Sequence, residues 1–458
     1  MNKLCATSLA AALGLAGCSL IPTYERPAAP VAAAFSADAA ASAATPSAAQ
    51  VQWQTFFKDA RLKRLIEIAL SNNRDLRVAV LAIDQTRAQL QLRRADELPT
   101  LNAGLTGTRA PNTSGVQTTT LTAGLSVTAY ELDLFGRVRA LSEAAQAQLL
   151  GTEEARKTVQ ISLVASVAAG YLNLLTDDEL LRTTRDTVST REESLKLTKL
   201  KFDSEAASQL DLSQAQSLLE AAKVALAQLT RQRAQDENAL VLLLGQSLPA
   251  DLPAGRSLLE QDLLPALPAG VPADVLTRRP DVRQAEQQLI ANNANIGAAR
   301  AAFFPRITLT GSAGVVSGDL DTLFNSGTSA WTFAPQLLLP IFDAGRNQAN
   351  LESAKVSRDI AVAQYEKAIQ SAFREVADAL AGRATLGEQV RAQSAQLAAE
   401  KVRTQLTELR FKQGAASALD LLDAQRSLFA VQQATVQAHA LQQQNLVSLY
   451  KVLGGGWK

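Results

Sequence analysis

The second half of the chain restates the first. Arg74-Asp75-Leu76-Arg77 returns as Pro280-Asp281-Val282-Arg283, an offset of 206 (281 − 75). Leu98-Pro99 returns as Phe304-Pro305, again 206 on (305 − 99). Phe135-Gly136-Arg137 returns as Ala344-Gly345-Arg346, now at 209 (345 − 136). Phe202 and Phe411, Asp211 and Asp420, and Leu244-Gly245 and Leu453-Gly454 keep that 209. An offset held over so many anchors marks two copies of one supersecondary unit. The change from 206 to 209 places a length difference between Pro99 and Gly136, where a loop absorbs it.

Each copy has the same order of parts. A helical pattern over 74–97 gives way to Leu101–Thr108, whose Gly, Thr and alternating apolar residues read as a strand. Ala110–Gly115 is a loop tip, and Leu121–Leu132 a second strand. The second copy repeats this with a helix over 281–302 and strands at Ile307–Val316 and Trp331–Leu339. A helix then starts at each Gly-Arg and continues without proline for about 65 residues, roughly 100 Å at 1.5 Å per residue. Apolar residues at Ile161, Val164, Ala168, Tyr171 and Leu175 step by 3 and 4, which suits a coiled coil or extended bundle. A break follows, and a return helix runs over 208–244 or 417–453. The short helix and the return helix together match the long one, so strands are expected at one end of the unit and breaks at the other.

These boundaries divide the chain into a signal peptide (1–17), a lipidated linker (18–52), a first repeat (53–250), a connector (251–273) and a second repeat (274–458). The first repeat holds a β-hairpin over 100–132 and a helical hairpin over 137–244. The second holds a β-hairpin over 307–340 and a helical hairpin over 346–453. Lys3 followed by apolar Leu4–Ala16 and then Leu15-Ala16-Gly17-Cys18 reads as a lipobox, with Cys18 acylated after cleavage. Ser19 permits sorting to the outer membrane. Cys5 lies in the removed peptide, so the mature chain has no second thiol for a disulfide. One acyl chain anchors only marginally, so further membrane contacts are needed.

Composition excludes several classes. The formal net charge of +1 gives no basic excess for nucleic acid. The single His439 lies between alanines on a helix, where it reads as packing, and Gly454–Gly456 ends a helix instead of opening one. Neither cofactor nor catalytic constellation is expected, apart from the covalent lipid. Beyond the N-terminus no apolar run of 18 residues suggests a transmembrane helix, but the four strands have the length of barrel strands. Four strands cannot close and open edges are not viable in lipid, so the chain must oligomerise; three copies give twelve strands.

The lipobox, Pro22-Thr-Tyr-Glu-Arg-Pro27, Arg278-Arg-Pro-Asp-Val282, Ala301-Ala-Phe-Phe-Pro305, Pro340-Ile-Phe-Asp-Ala-Gly345 and Leu421-Leu-Asp-Ala-Gln425 together resemble the outer membrane factors of Gram-negative bacteria. The chain is TolC-like and similar to the OprM and NodT group of efflux lipoproteins over nearly its whole mature length. The resemblance implies a mainly α chain with a membrane β-barrel: a homotrimer with a twelve-stranded barrel, an equatorial region and a periplasmic helical tunnel. It implies partners too, a periplasmic adaptor and an inner-membrane pump, with outer-membrane lipid around the barrel. A protein-secretion channel is the alternative within transport; a structural coiled-coil lipoprotein without a pore is the alternative outside it.

Candidate site residues fall in three groups. Pro99, Gly136, Pro305 and Gly345 mark strand–helix transitions. Phe202, Ser208, Phe411, Gly414 and Ser417 form the hairpin turns, where Ser208 with Asp211 and Ser417 with Asp420 fit a capping box. Gly414 stands where the first copy has Glu205, and Asp423 where it has Gln214. By resemblance, Leu419 forms an apolar constriction at the tunnel's periplasmic aperture, Asp420 and Asp423 form acidic rings whose mutual repulsion raises their pKa values, and Asp211 is the aperture residue of the first tip.

Overall fold

The computed structural model describes residues 19–32, 51–261 and 273–457. The expected signal peptide, Cys18, linker residues 33–50 and connector residues 262–272 lie outside them. In chain order the elements are α1 (Trp53–Phe56), α2 (Ala60–Asn72), α3 (Arg74–Ala95), β1 (Leu101–Pro111), β2 (Gln117–Leu132), α4 (Arg137–Asp203) and α5 (Gln209–Leu244). Short 3₁₀ turns at Leu258–Glu260 and Ala273–Arg278 lead to α6 (Pro280–Ala301), β3 (Arg306–Ser317), β4 (Ser329–Leu338), α7 (Arg346–Lys412) and α8 (Ala418–Val452). The two long helices, α4 and α7, have 67 residues each. By Cα proximity the chain forms two compact units, each taking pieces from both copies of the repeat.

One unit, containing Leu81–Glu154 and Arg283–Ala368, carries a four-stranded antiparallel sheet in the order β1-β2-β3-β4. The pairing Leu101↔Val127, Leu125↔Ala313 and Ala313↔Trp331 puts these residues on one face. Phe333 and Leu105 share that face, and all of its large side chains among Leu101, Leu105, Leu125, Trp331 and Phe333 are exposed. The other face carries Asn102, Thr106, Thr122, Ser126, Ser312 and Thr332, with a 2.7 Å hydroxyl pair between the last two. This is the period of two that a barrel wall needs, apolar outward and polar inward. The bulge between Val127 and Tyr130 sits where Ala129 adopts φ 51° and its N–H donates to Thr310 Oγ1 at 3.2 Å.

The other unit, containing Ala155–Val282 and Ile369–Lys458, is helical. Its core includes Phe56 stacked on Tyr450 at 4.1 Å, with the Tyr450 hydroxyl donating to the Val51 carbonyl at 2.6 Å. Asp59 caps α2 through the Arg61 and Leu62 amides. The same buried carboxylate accepts from Tyr171 Oη (3.1 Å), the Arg256 amide (3.0 Å) and Gln261 Nε2 (2.8 Å). Helix α2 is an addition to the expected order of parts, which starts the first repeat's helix at residue 74. Its signal was present: Leu62, Leu65, Ile66 and Ala69 follow helical spacing behind an Asp cap, and all four are buried. Helix α4 also contains an 18-residue window of mean hydropathy 1.5, half of it buried. This corrects the expectation of no such stretch: polar Thr, Gln and Ser interrupt it, so it is no unbroken apolar run.

Candidate functional site: barrel strands, strand–helix junctions and hairpin tips

At the junctions the chain passes from strand to long helix through left-handed backbone. Gly136 has φ 72° and Gly345 φ 83°, the latter preceded by Ala344 at 56°. An aspartate caps each start: Asp133 accepts from the Arg139 amide at 2.8 Å, and Asp343 from the Gly345 and Asn347 amides at 3.0 and 2.9 Å. Pro99 and Pro305 stand between a helix end and the first residues of β1 and β3, where a missing donor costs nothing. What ties the junction together follows no period or motif. Glu131 accepts from Arg137 Nε and Nη2, each at 2.7 Å, and pairs with Arg306 Nε at 2.7 Å, while Phe135 stacks on Phe304 at 4.7 Å. Glu131 is well shielded, and two guanidiniums offset its loss of solvation.

The two hairpin tips are built alike. After α4 the Ala206 amide donates to the Lys201 carbonyl at 2.7 Å; after α7 the Ala415 amide donates to the Arg410 carbonyl at 2.8 Å. These close the helix ends in Schellman fashion. Ser208 and Asp211 then form a full capping box on α5, and Ser417 and Asp420 form the same box on α8. In both, the serine hydroxyl donates to the carboxylate at 2.7 Å. The Ser208 hydroxyl and amide hold Asp211 below the ordinary carboxylate range, and those of Ser417 do the same for Asp420. Within the protomer Asp420 is therefore shifted opposite to the upward direction expected of an acidic ring, because its cap stabilises the charge. The tips also meet: Lys201 Nζ lies 3.9 Å from the Phe411 ring centre.

The tips differ at Asp423. Its carboxylate pairs with Arg426 at 2.5 Å, one turn along α8, and with Arg403 of α7 at 3.5 Å. The positions 209 earlier are Gln214, Ser217 and Ser194, so the first hairpin has no such bridge. Asp423 thus has a local partner set of two arginines, one on each helix of its hairpin. Leu419 is exposed (59%), as is its counterpart Leu210 (65%), so both tips present a leucine outward.

Strands with an apolar outer face, free β1 and β4 edges and paired helical hairpins suit one chain of a shared barrel. The sequence model for the family described as outer membrane efflux protein matches residues 65–246 and 271–455. The chain belongs to this family. It is similar to the antibiotic efflux pump outer membrane protein ArpC of Pseudomonas putida, 48% identical over 454 residues, covering 97% of this chain and 93% of that protein. It is also similar to the toluene efflux pump outer membrane protein TtgI of Pseudomonas putida, 47% identical, covering 98% and 97%. Among solved structures it matches the open state of the MtrE outer membrane channel of Neisseria gonorrhoeae, with TM-score 0.88 and 42% identity over 96% of this chain and 99% of that one.

The protein is therefore an outer-membrane channel of a tripartite efflux system, not an enzyme. It is trimeric and works with a pump, and its barrel wall and periplasmic tunnel come from three copies of this fold. Twelve strands follow from four per protomer. The Pro22–Pro27 motif also finds its place in the first unit. Tyr24 and Arg26 both grip Glu286 of α6, Arg26 through two nitrogens at 2.7 and 3.0 Å. Asn293 and Arg300 hold the Pro22 and Leu20 carbonyls at 2.7 and 3.1 Å. Ile21 lies against Gly297, where any Cβ would collide with it.

Proposed function

We propose that the channel conducts small, largely apolar molecules such as drugs and solvents, handed on by an inner-membrane pump through a periplasmic adaptor. ArpC is named for antibiotics and TtgI for toluene, which supports this substrate class. A lipid on Cys18 anchors each protomer, and the adjacent segment clasped by Asn293, Arg300 and Glu286 sets where that anchor leaves the body. The resting channel is closed at the hairpin tips by Leu419, Asp420 and Asp423 of the second copy, with Asp211 at the aperture in the first. Phe202, Ser208, Phe411, Gly414 and Ser417 hold the turns that present them.

The observation that carries the gate is the Arg403–Asp423–Arg426 bridge, which ties α7 to α8 in the second hairpin and has no counterpart in the first. Breaking the bridge frees α8 from α7 at the second tip, and the first hairpin has no such tie to break. Single-channel recording in planar bilayers tests it. Asp423→Ala and Leu419→Ala should each raise conductance or open probability over wild type. If both conduct as wild type does, the gate lies elsewhere. For the anchor, Cys18→Ser should abolish incorporation of labelled palmitate while export to the membrane persists.

A further inference from the structure

The apolar, outward face of the sheet carries one exception. Arg109 lies opposite Thr119, as Leu105 lies opposite Ala123, so Arg109 projects from the same face of β1 as Leu101 and Leu105. Among the described residues it is the one charged side chain on the outward face of the four strands. It is exposed, and its guanidinium makes no hydrogen bond or ion pair among those residues.

A bare guanidinium facing lipid is strongly disfavoured at mid-membrane and tolerated near an interface. Its place along the strand meets that condition. Helices α3 and α4 join β1 and β2 at their Leu101 and Leu132 ends, so the turn over 112–116 marks the extracellular end. Arg109 is eight residues from Leu101 (109 − 101) and two from Pro111 (111 − 109). Eight residues at about 3.4 Å each, tilted by about 40°, rise about 20 Å, near the top of an apolar band about 25 Å tall. Trp331 marks the same level. It is 77% exposed on the same face, two residues into β4 from Ser329 at the extracellular end. Indoles collect at the membrane–water boundary, ring toward lipid and N–H toward the headgroups.

The free edges of the sheet are β1 and β4. Within a protomer Arg109 and Trp331 stand three strands apart. Closing the twelve-stranded wall sets β4 of one protomer beside β1 of the next, and brings Trp331 of the partner subunit to the flank of Arg109. A planar guanidinium with an indole N–H beside it offers donors that match phosphate oxygens, and no acceptor. At this height the membrane supplies such oxygens, because the outer leaflet of a Gram-negative outer membrane is glycolipid with phosphates on its sugar headgroup. The acidic groups of the protein at this end are Asp319 and Asp321, exposed in the β3–β4 connection. An ion pair from Arg109 to Asp319 or Asp321 of the partner subunit is the competing use of the charge.

We propose that Arg109, flanked by Trp331 of the partner subunit, binds the phosphate of an outer-leaflet glycolipid, giving three equivalent lipid sites around the trimer. Each site spans a seam between protomers, so a bound lipid holds neighbouring sheets together at the end far from the proposed tip gate.

The full-length trimer, purified in detergent and stripped of lipid, tests this by native mass spectrometry. The probe is lipid A carrying both of its phosphates. Wild type should retain up to three copies, Arg109→Leu should retain them about tenfold less well, and Arg109→Lys should recover part of the loss. Trp331→Ala should weaken retention as well; wild-type retention there would refute a site shared across the seam. Lipid A without phosphate should bind wild type no better than intact lipid A binds Arg109→Leu. Inorganic phosphate at the same concentration should not compete; competition would mark a free-phosphate site and overturn the glycolipid. Equal retention by wild type and Arg109→Leu overturns the proposal outright. Leucine suits a lipid-facing wall, so without lipid the Arg109→Leu trimer should dissociate at the wild-type temperature, and added lipid A should raise that temperature in wild type alone. A lower temperature without lipid, reproduced by Asp319→Asn or Asp321→Asn, would assign Arg109 to an ion pair between protomers and refute the lipid site.

Discussion

The two hairpin turns supply an internal experiment on backbone strain. Glu205 and Gly414 occupy equivalent positions, and both adopt left-handed backbone, at φ 59° and 73°. Glycine meets that geometry without penalty, whereas a residue with a Cβ is disfavoured by about 1–2 kcal/mol. Nothing lies within 4 Å of where a Gly414 Cβ would sit, so packing does not complicate the substitution. Glu205 has no side-chain partner among the described residues, so its removal breaks no contact. Glu205→Gly should therefore stabilise the first turn by about 1 kcal/mol, and Gly414→Ala should destabilise the second by about as much. A shift of about 1 kcal/mol is roughly a fivefold change in a local opening equilibrium. The Ala206 and Ala415 amides, bonded to Lys201 and Arg410 at 2.7 and 2.8 Å, report that opening by hydrogen exchange. Exchange of Ala206 should slow about fivefold in Glu205→Gly, and that of Ala415 should quicken about fivefold in Gly414→Ala. Glu205→Gln keeps the Cβ and drops the charge, so it should leave exchange unchanged. If Glu205→Gln slows exchange as much as Glu205→Gly, charge and not backbone strain governs the turn, and the reasoning fails.

Three further outcomes follow from buried or closely approached groups. Asp59→Ala strips an acceptor from Tyr171, Arg256 and Gln261 together, and should lower protein stability by about 3 kcal/mol or more, read as an earlier thermal melt by circular dichroism; an unchanged melt would refute the network's role. Burial raises the Asp59 pKa, but the bonds from Gln261, Arg256 and the α2 amides outweigh it and hold the carboxyl below its usual value. Its stabilising contribution is thus present at neutral pH and is lost as pH falls below about 4, a slope that Asp59→Asn should flatten. Asp177 behaves oppositely. Burial, a hydrogen bond with Asp236 and the Asp236 and Asp178 charges push it up to about 7, against a smaller lowering by Arg233. The folded state therefore holds this proton more tightly than the unfolded one. The stability it gives is complete below about pH 4 and disappears as pH rises through about 7, and Asp177→Asn should remove that segment of the pH–melt curve. Gly124 and Gly314 are paired across β2 and β3, and a Cβ at either would run into the facing backbone. Gly124→Val should therefore leave no detergent-resistant trimer in outer-membrane fractions; wild-type amounts would show that the strands can part to admit a side chain.

What was legible in the sequence divides by how far apart the interacting residues lie. Helix starts, turn caps and strand alternation depend on residues within four positions of each other, and the doubled pattern let each copy check the other. Ser208–Asp211 and Ser417–Asp420 were readable for that reason. Contacts within a helical hairpin are one step further off, yet still follow from the turn's position. Folding the second hairpin about residue 413 brings 403 beside 423, since half of 826 is 413, and the ion pair between them is there. Folding the first about 206 or 207 brings Asp177 beside Asp236 in the same way. Neither pair shows as a motif, because it becomes visible only when the positions on either side of the turn are folded back on each other. The Asp59 network and the Glu131 junction are of another kind. Asp59 gathers partners at 171, 256 and 261, and Glu131 joins 137 to 306, through no period, offset or motif. Such contacts arise from how separate segments pack, and a buried carboxylate then selects whichever donors the packing brings near.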